Sequence, residues 1–173
     1  MFGAGTIGLL AAMFARARGA EVHLLGRSER SLSFARSLGF ANAWSDAELP
    51  ELPELPWDAV IDASNAPELP RRAVELVEPG RRIVLVGLAG SPSLIDTRAL
   101  ALADVTAVGI LSASPGLTGT IDAYASGAVD PRGLVAATVS LDDVPAILAG
   151  QRPAHAGPGP KFHIDIRSSG GNP

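Results

Sequence analysis

Met1-Phe2-Gly3-Ala4-Gly5-Thr6-Ile7-Gly8-Leu9-Leu10-Ala11-Ala12 says more about the fold than any other segment of this chain. Three glycines stand at the spacing of a phosphate-binding turn, and each has its own physical task. Gly3 permits a tight turn, Gly5 lets backbone approach a pyrophosphate, and Gly8 allows a helix to pack closely on the strand before it. Good helix formers continue to Arg18, with Ile7, Leu10, Ala11 and Phe14 spaced as an apolar stripe. Gly19 is placed to end the helix. A helix that starts near Thr6 turns its free N–H groups and the positive end of its dipole toward Gly5, which suits an anion. The bland alternative is a glycine-rich turn without a ligand. The neighbouring residues argue against it, because a helix begins at once and an apolar strand arrives on schedule at Glu21 to Leu25.

Outward from that motif, strands and helices alternate. A second helix is expected from Glu29 to Leu38, ended by Gly39. Glu48 to Pro56 repeats a Glu-Leu-Pro triplet, and its prolines favour an extended surface connection. Then come a strand at Ala59 to Asp62, a helix at Pro67 to Val77 and a β-branched strand at Arg82 to Gly87. A short helix at Arg98 to Ala103, a strand at Val105 to Leu111 and a helix at Leu117 to Ser126 complete the alternation. Each parallel strand needs a crossover, so this pattern predicts an α/β fold: a doubly wound parallel sheet of Rossmann type, with strand order 3-2-1-4-5-6. Its central first strand would contain little beyond Met1-Phe2, and is therefore expected to be truncated. The dinucleotide-binding domain is expected over residues 1–150. Residues 151–173 read as a loop and strand that would return to a catalytic domain.

Composition narrows the function. With 47% hydrophobic and 18% charged residues, the 173-residue chain can bury a core. A net charge of -4 speaks against nucleic acid or an anionic membrane as partner. No apolar run approaches the roughly 20 residues of a membrane-spanning helix, and no secretory signal is visible, so the expected location is cytoplasmic. The sequence has no cysteine, which removes disulfides and cysteine-ligated zinc from this chain.

The expected cofactor site begins with Gly3, Gly5, Thr6, Ile7 and Gly8. At the end of the second strand an acid would accept hydrogen bonds from a ribose 2′-hydroxyl, but Gly26 stands there. Arg27, Ser28 and Arg30 come next, offering cations and a hydroxyl where a 2′-phosphate would sit, so NADP is favoured with NAD possible. The alternative is that Arg27, Arg30 and Arg36 form a solvated helix face. Ser64 and Asn65 are expected to line the ribose, while Asp62 could serve there or as a loop cap. Val86, Gly87 and Leu88 end the next strand, where glycine admits a flat ring, and Gly109-Ile110 repeats the arrangement. His23, His155 and His163 have no companions at metal-ligand spacing. Tyr124 lacks a lysine four residues on, and Ser112, Ser114, Asp142 and Asp143 have no histidine placed for a hydrolytic triad.

Taken together, Phe2-Gly-Ala-Gly-Thr-Ile-Gly-Leu-Leu-Ala-Ala, Ala20-Glu-Val-His-Leu-Leu-Gly-Arg-Ser-Glu-Arg, Asp58-Ala-Val-Ile-Asp-Ala-Ser and Gly80-Arg-Arg-Ile-Val-Leu-Val-Gly resemble the cofactor-binding domain of zinc-type medium-chain alcohol dehydrogenases, in particular the polyol and threonine dehydrogenase branch. The resemblance implies an oxidoreductase that passes a hydride between an alcohol carbon and a nicotinamide. It puts Ile110 and Leu111 near the nicotinamide end and makes Lys161 the start of the returning strand. It also assigns the zinc ligands, the proton relay and most of the substrate pocket to a preceding domain outside this sequence. The expectation is therefore a truncated gene model: a fragment inactive alone, meeting a small alcohol only with that domain. A stand-alone dinucleotide-binding module, acting as sensor or partner, and a gene remnant are the competing readings. Family resemblance further suggests a homo-oligomer, through the strand near Val105 to Leu111 or the segment after it.

Overall fold

The computed structural model describes residues 1–45, 47–48, 56–112 and 114–167. They form two compact units, Met1–Val129 and Asp130–Pro173. The division falls ahead of residue 150, the expected end of the dinucleotide-binding domain.

In the first unit, α1 (Thr6–Ala17) is followed by β1 (Leu24–Gly26), α2 (Glu29–Ser37) and β2 (Ala43–Ser45). Next come β3 (Trp57–Asp62), α3 (Leu69–Leu76), β4 (Val77–Leu85), α4 (Thr97–Leu102), β5 (Thr106–Gly109) and α5 (Leu117–Ala125). Strands β1 and β2 pair in parallel, as do β3, β4 and β5 in that order. Phe2 joins the two groups through isolated parallel bridges to Leu25 and to Asp62. The order is thus β2, β1, Phe2, β3, β4, β5, the doubly wound arrangement with its first strand reduced to one bridging residue.

That residue is bonded from both sides. Its N–H donates to the Ile61 carbonyl at 2.8 Å and its carbonyl accepts from Ala63 at 2.9 Å. Across the other edge Leu25 N–H donates to Met1 at 2.9 Å, and Gly3 N–H donates to Leu25 at 2.8 Å. The Phe2 ring is buried with Leu25, Val60, Ala66, Leu69, Ala73, Val74, Val77 and Ile83, which binds both halves of the sheet to α3.

Several boundaries differ from the sequence expectations. In α1 the buried positions are Gly8, Leu9, Ala12 and Met13, whereas Ile7 is 54% exposed. The expected stripe is therefore rotated. Close packing of Gly8 against the Gly3 carbonyl turns that side of the helix inward. Phe14, from the expected stripe, packs on Tyr124 of α5 with ring centroids 5.9 Å apart. Strand β2 has no signature in the sequence, since three residues are too few to show alternation. Strand β4 starts at Val77 rather than Arg82, with a register shift opposite Trp57 and Ala59. The first-turn proline of α3 is Pro70, not Pro67. Most of the Glu-Leu-Pro repeat lies outside the described residues.

In the second unit, β6 (Val135–Ser140) pairs in parallel with β7 (Lys161–Asp165), and α6 (Val144–Leu148) lies between them in sequence. A capping box of Ser140 and Asp143 starts the helical segment. Arg152 holds the intervening loop by donating to the carbonyls of Gly157 and Gly159 at 2.5 and 3.0 Å. No helix among the described residues is long and apolar enough to cross a membrane.

The Met1 ammonium lies inside the sheet, where it donates to the His23 carbonyl at 2.9 Å. Burial lowers its pKa from 8.0 to about 6, and the Asp62 charge opposes the shift only partly. Between pH 6 and 8 the unfolded chain thus binds more protons than the folded one, so stability is complete above pH 8 and declines as pH falls to 6. We expect a loss on the order of 2 to 3 kcal/mol over that window by urea denaturation, and none of it in an Nα-acetylated chain. Equal pH profiles for the two forms would refute the assignment.

Candidate functional site

Every expected cofactor residue lies at the carboxyl end of a strand or in the loop or helix start just beyond it, in the first unit. Gly3 to Gly8 follow the Phe2 bridge, Gly26 ends β1 and Arg27 to Arg30 follow it, Ser64 and Asn65 follow β3, Val86 to Leu88 follow β4, and Ile110 and Leu111 follow β5. The strand order reverses at Phe2, with β1 and β2 on one side and β3 to β5 on the other, and this is where open α/β sheets leave a crevice for ligands.

The centre of that edge is built from backbone. Gly3 has φ +93°, and a Cβ there would come within 2.7 Å of the Ala63 carbonyl oxygen, so the turn admits no side chain. Gly8 is equally closed, by the Gly3 carbonyl. Gly5 is the opposite case, since nothing lies within 4 Å of the position its Cβ would take. The first turn of α1 has no side-chain cap and no acidic residue. By contrast α2 is capped by Ser28 and α4 by Asp96. Free amides and an open glycine therefore meet at the start of a twelve-residue helix, a cradle suited to a pyrophosphate.

At the end of β1, Gly26 is buried. A Cβ would stand 3.0 Å from Leu32 Cδ2 and 3.2 Å from Ala4 Cβ, so a side chain there would require those neighbours to give by a few tenths of an ångström. Arg27, Ser28 and Arg30 are exposed beside it. The Ser28 hydroxyl accepts from Ser31 N–H at 3.2 Å and donates to Ser31 Oγ at 3.0 Å, so it is engaged as a helix cap. Arg36 is directed elsewhere, donating to Glu29 at 2.9 Å and to the Ala43 carbonyl at 2.8 Å.

Asp62 resolves into a structural role that the sequence left open. It is 3% exposed, and its carboxylate accepts from Ser64 N–H at 2.9 Å and Ser64 Oγ at 2.6 Å. Its carbonyl accepts from Val86 at 2.8 Å and Gly87 at 2.9 Å, tying the ends of β3 and β4 together. Gly87 sits directly on the Ser64 backbone, leaving no room for a Cβ. Asn65 and Leu88 are exposed, Ile110 is half-buried and Leu111 is exposed. The small residues Ala4 and Ala63, which set these close approaches, carry no signal in the sequence that distinguishes them from any other alanine. Among the described residues no group of three or more His, Asp or Glu side chains is placed to hold a metal ion. His23 is 8% exposed and enclosed by Trp44 and Trp57.

Residues 6–126 match the family model of the zinc-binding dehydrogenases. The chain belongs to that family. It is 32% identical over 97 residues to D-altritol 5-dehydrogenase of Agrobacterium fabrum, an alignment covering 56% of this chain and 29% of the relative. A zinc-binding dehydrogenase from Sinorhizobium meliloti 1021, solved bound to NADP, superposes with TM-score 0.76 at 23% identity, over 94% of this chain and 50% of that one. An alcohol dehydrogenase from Escherichia coli CFT073, complexed with NADH, gives TM-score 0.76 at 20% identity, over 90% and 49%. The chain thus spans under a third of its curated relative and about half of the solved neighbours. Its fold is that of the dinucleotide-binding domain of medium-chain alcohol and polyol dehydrogenases.

The two glycines of α1 separate fold from site. Gly8→Ala should destabilise by about 2 kcal/mol or more, because its Cβ meets backbone that cannot move aside. Gly5→Ala should change stability by less than about 0.5 kcal/mol. Chemical denaturation of both variants checks this, and equal losses would show that the helix start is packed differently.

Proposed function

We propose that this chain binds a nicotinamide dinucleotide at the carboxyl edge of the sheet, NADP in preference to NAD, as the cofactor-binding part of an alcohol or polyol oxidoreductase. The observation that carries the reading is the uncapped, glycine-lined start of α1 at the point where the strand order reverses. Gly3, Gly5, Thr6, Ile7 and Gly8 would hold the pyrophosphate through backbone N–H groups. Arg27 and Arg30 would face the adenosine ribose and its 2′-phosphate, with Ser28 holding the helix that carries Arg30. Ser64 and Asn65 would border the nicotinamide-side ribose, and Val86, Gly87, Leu88, Ile110 and Leu111 the ring.

Solved neighbours hold NADP in one case and NADH in another, so the choice rests on this chain's own residues. Gly26 supports NADP, because it presents no carboxylate to select a free 2′-hydroxyl and Arg27 follows it directly. The bound cofactor would supply hydride transfer at its nicotinamide. What this chain contributes is binding and orientation. The family resemblance assigns the catalytic metal and substrate pocket to another domain, and we propose that turnover requires it.

Calorimetric titration tests the site. The chain should bind NADPH more tightly than NADH, and Arg27→Glu should weaken NADPH by about ten-fold or more while leaving NADH nearly unchanged. Gly5→Val should weaken both. An unchanged preference in the arginine variant would refute the NADP assignment, and unchanged binding in the glycine variant would refute the placement of the pyrophosphate.

A further inference from the structure

Helix α2 begins beside the arginines proposed to meet the 2′-phosphate, and one residue of its first turn carries the wrong charge for that neighbour. Glu29 follows Ser28 directly and precedes Arg30. It is the only acid between Gly26 and Arg36. A carboxylate near the end of the second strand of a doubly wound sheet favours a free 2′-hydroxyl and repels a 2′-phosphate. Gly26 removes that carboxylate from its usual place, and Glu29 brings one back three residues later.

Two partners engage that charge. The Glu29 carboxylate accepts from the Ser33 hydroxyl at 2.8 Å and from Arg36 Nη1 at 2.9 Å. Ser33 lies about one turn further along α2 and Arg36 about two, so both sit toward the carboxyl end of the helix, away from Ser28. A serine side chain is short, so the carboxylate is drawn back along α2 rather than out past the cap. Arg36 is itself fixed, because Nη2 donates at 2.8 Å to the carbonyl of Ala43, which pairs with Leu24 of β1. The guanidinium is thus held between helix and sheet with one edge on Glu29. A second carboxylate near it, Glu48, has its own partners: Ser45 donates through its hydroxyl and its amide, each at 2.7 Å. Those bonds, and after them the Arg36 charge, hold the Glu48 pKa below the usual carboxylate range. The side chains of Arg36 and Glu29 are 41% and 74% exposed, and ion pairs so exposed add little to stability. The consequence of this one lies in the charge it removes from the start of α2.

We infer that Arg36 determines cofactor specificity from outside the cofactor site, by neutralising Glu29 and so keeping the first turn of α2 acceptable to a 2′-phosphate. This rests on the NADP reading above. With Arg36 in place, the acid that stands between Arg27 and Arg30 in the sequence is already paired. Without it Ser33, a neutral donor, would leave the charge standing. Glu29 would then be a bare carboxylate one residue from Arg30 and two from Arg27, able to pair with either guanidinium and to repel a dianion. That repulsion acts on NADPH, whose phosphate carries the charge. It hardly touches NADH, whose neutral 2′-hydroxyl can donate to a carboxylate. Arg36 is thus a positioning residue that acts through Glu29.

Titration of the full chain with NADPH and with NADH tests this. Arg36→Met, which keeps the length of the side chain but not its charge, should weaken NADPH by about three-fold or more and leave NADH within about two-fold. Glu29→Gln alone should leave the preference within about two-fold, because that charge is already neutralised. Added to Arg36→Met, Glu29→Gln should restore NADPH binding to within about two-fold of the parent chain. A purely structural role of Arg36, through its bond to the Ala43 carbonyl, would weaken both cofactors and would not be repaired at Glu29. Either of those results, or an Arg36→Met variant with its preference intact, would overturn the inference. Arg27→Glu separates it from the reading beneath it. Loss of preference in Arg27→Glu but not in Arg36→Met refutes the role of Arg36 alone, whereas an unchanged preference in both refutes the NADP assignment as well. If Arg36→Met does not fold, Arg36→Gln, which retains an N–H donor for Ala43, decides between the same outcomes.

Discussion

Two-sided pairing of Phe2 holds the first unit together. Without it the β1–β2 pair and the β3–β4–β5 sheet share no strand, and each would present an unpaired edge. Four backbone hydrogen bonds around Met1, Phe2 and Gly3, together with one buried aromatic ring, carry the continuity that a full strand usually supplies. The same residues set the position of the glycine turn, because Gly3 is bonded to Leu25 while its α-carbon faces Ala63. Sheet continuity and the geometry of the proposed cofactor site are therefore one problem at this point in the chain.

Close backbone approaches spread that order outward along the carboxyl edge. Gly8 rests on Gly3, Gly3 on Ala63, and Gly87 on Ser64, so three loops are packed main chain against main chain. Asp62 supports the row by accepting from Ser64 with its carboxylate and from Val86 and Gly87 with its carbonyl. A crevice built in this way exposes amides and small surfaces rather than titrating side chains. Such a surface suits the flat, anionic cofactor proposed for it.

Much of this was legible in the sequence. The glycine spacing, the strand–helix alternation and the placement of Gly26 before Arg27 point to a doubly wound sheet and to one edge of it, and the structure brings those loops together. Other features were not legible. Ile7, Leu10, Ala11 and Phe14 have helical spacing, yet the buried face is set by where Gly8 meets Gly3, a contact between turns that periodicity does not encode. Strand β2 is held by register with β1 rather than by its own three residues.

Class of fold and local chemistry are written along the chain, because glycine, proline and apolar spacing act on the nearest few residues through sterics and burial. Which groups are engaged and which are open was settled in three dimensions. Ser28 became a cap, Asp62 a brace, Gly5 an open cradle and Gly26 a buried position packed against Leu32 and Ala4. Those outcomes rest on distances between segments remote in the chain. They arise from how the sheet packs, and no reading of neighbouring residues contains them.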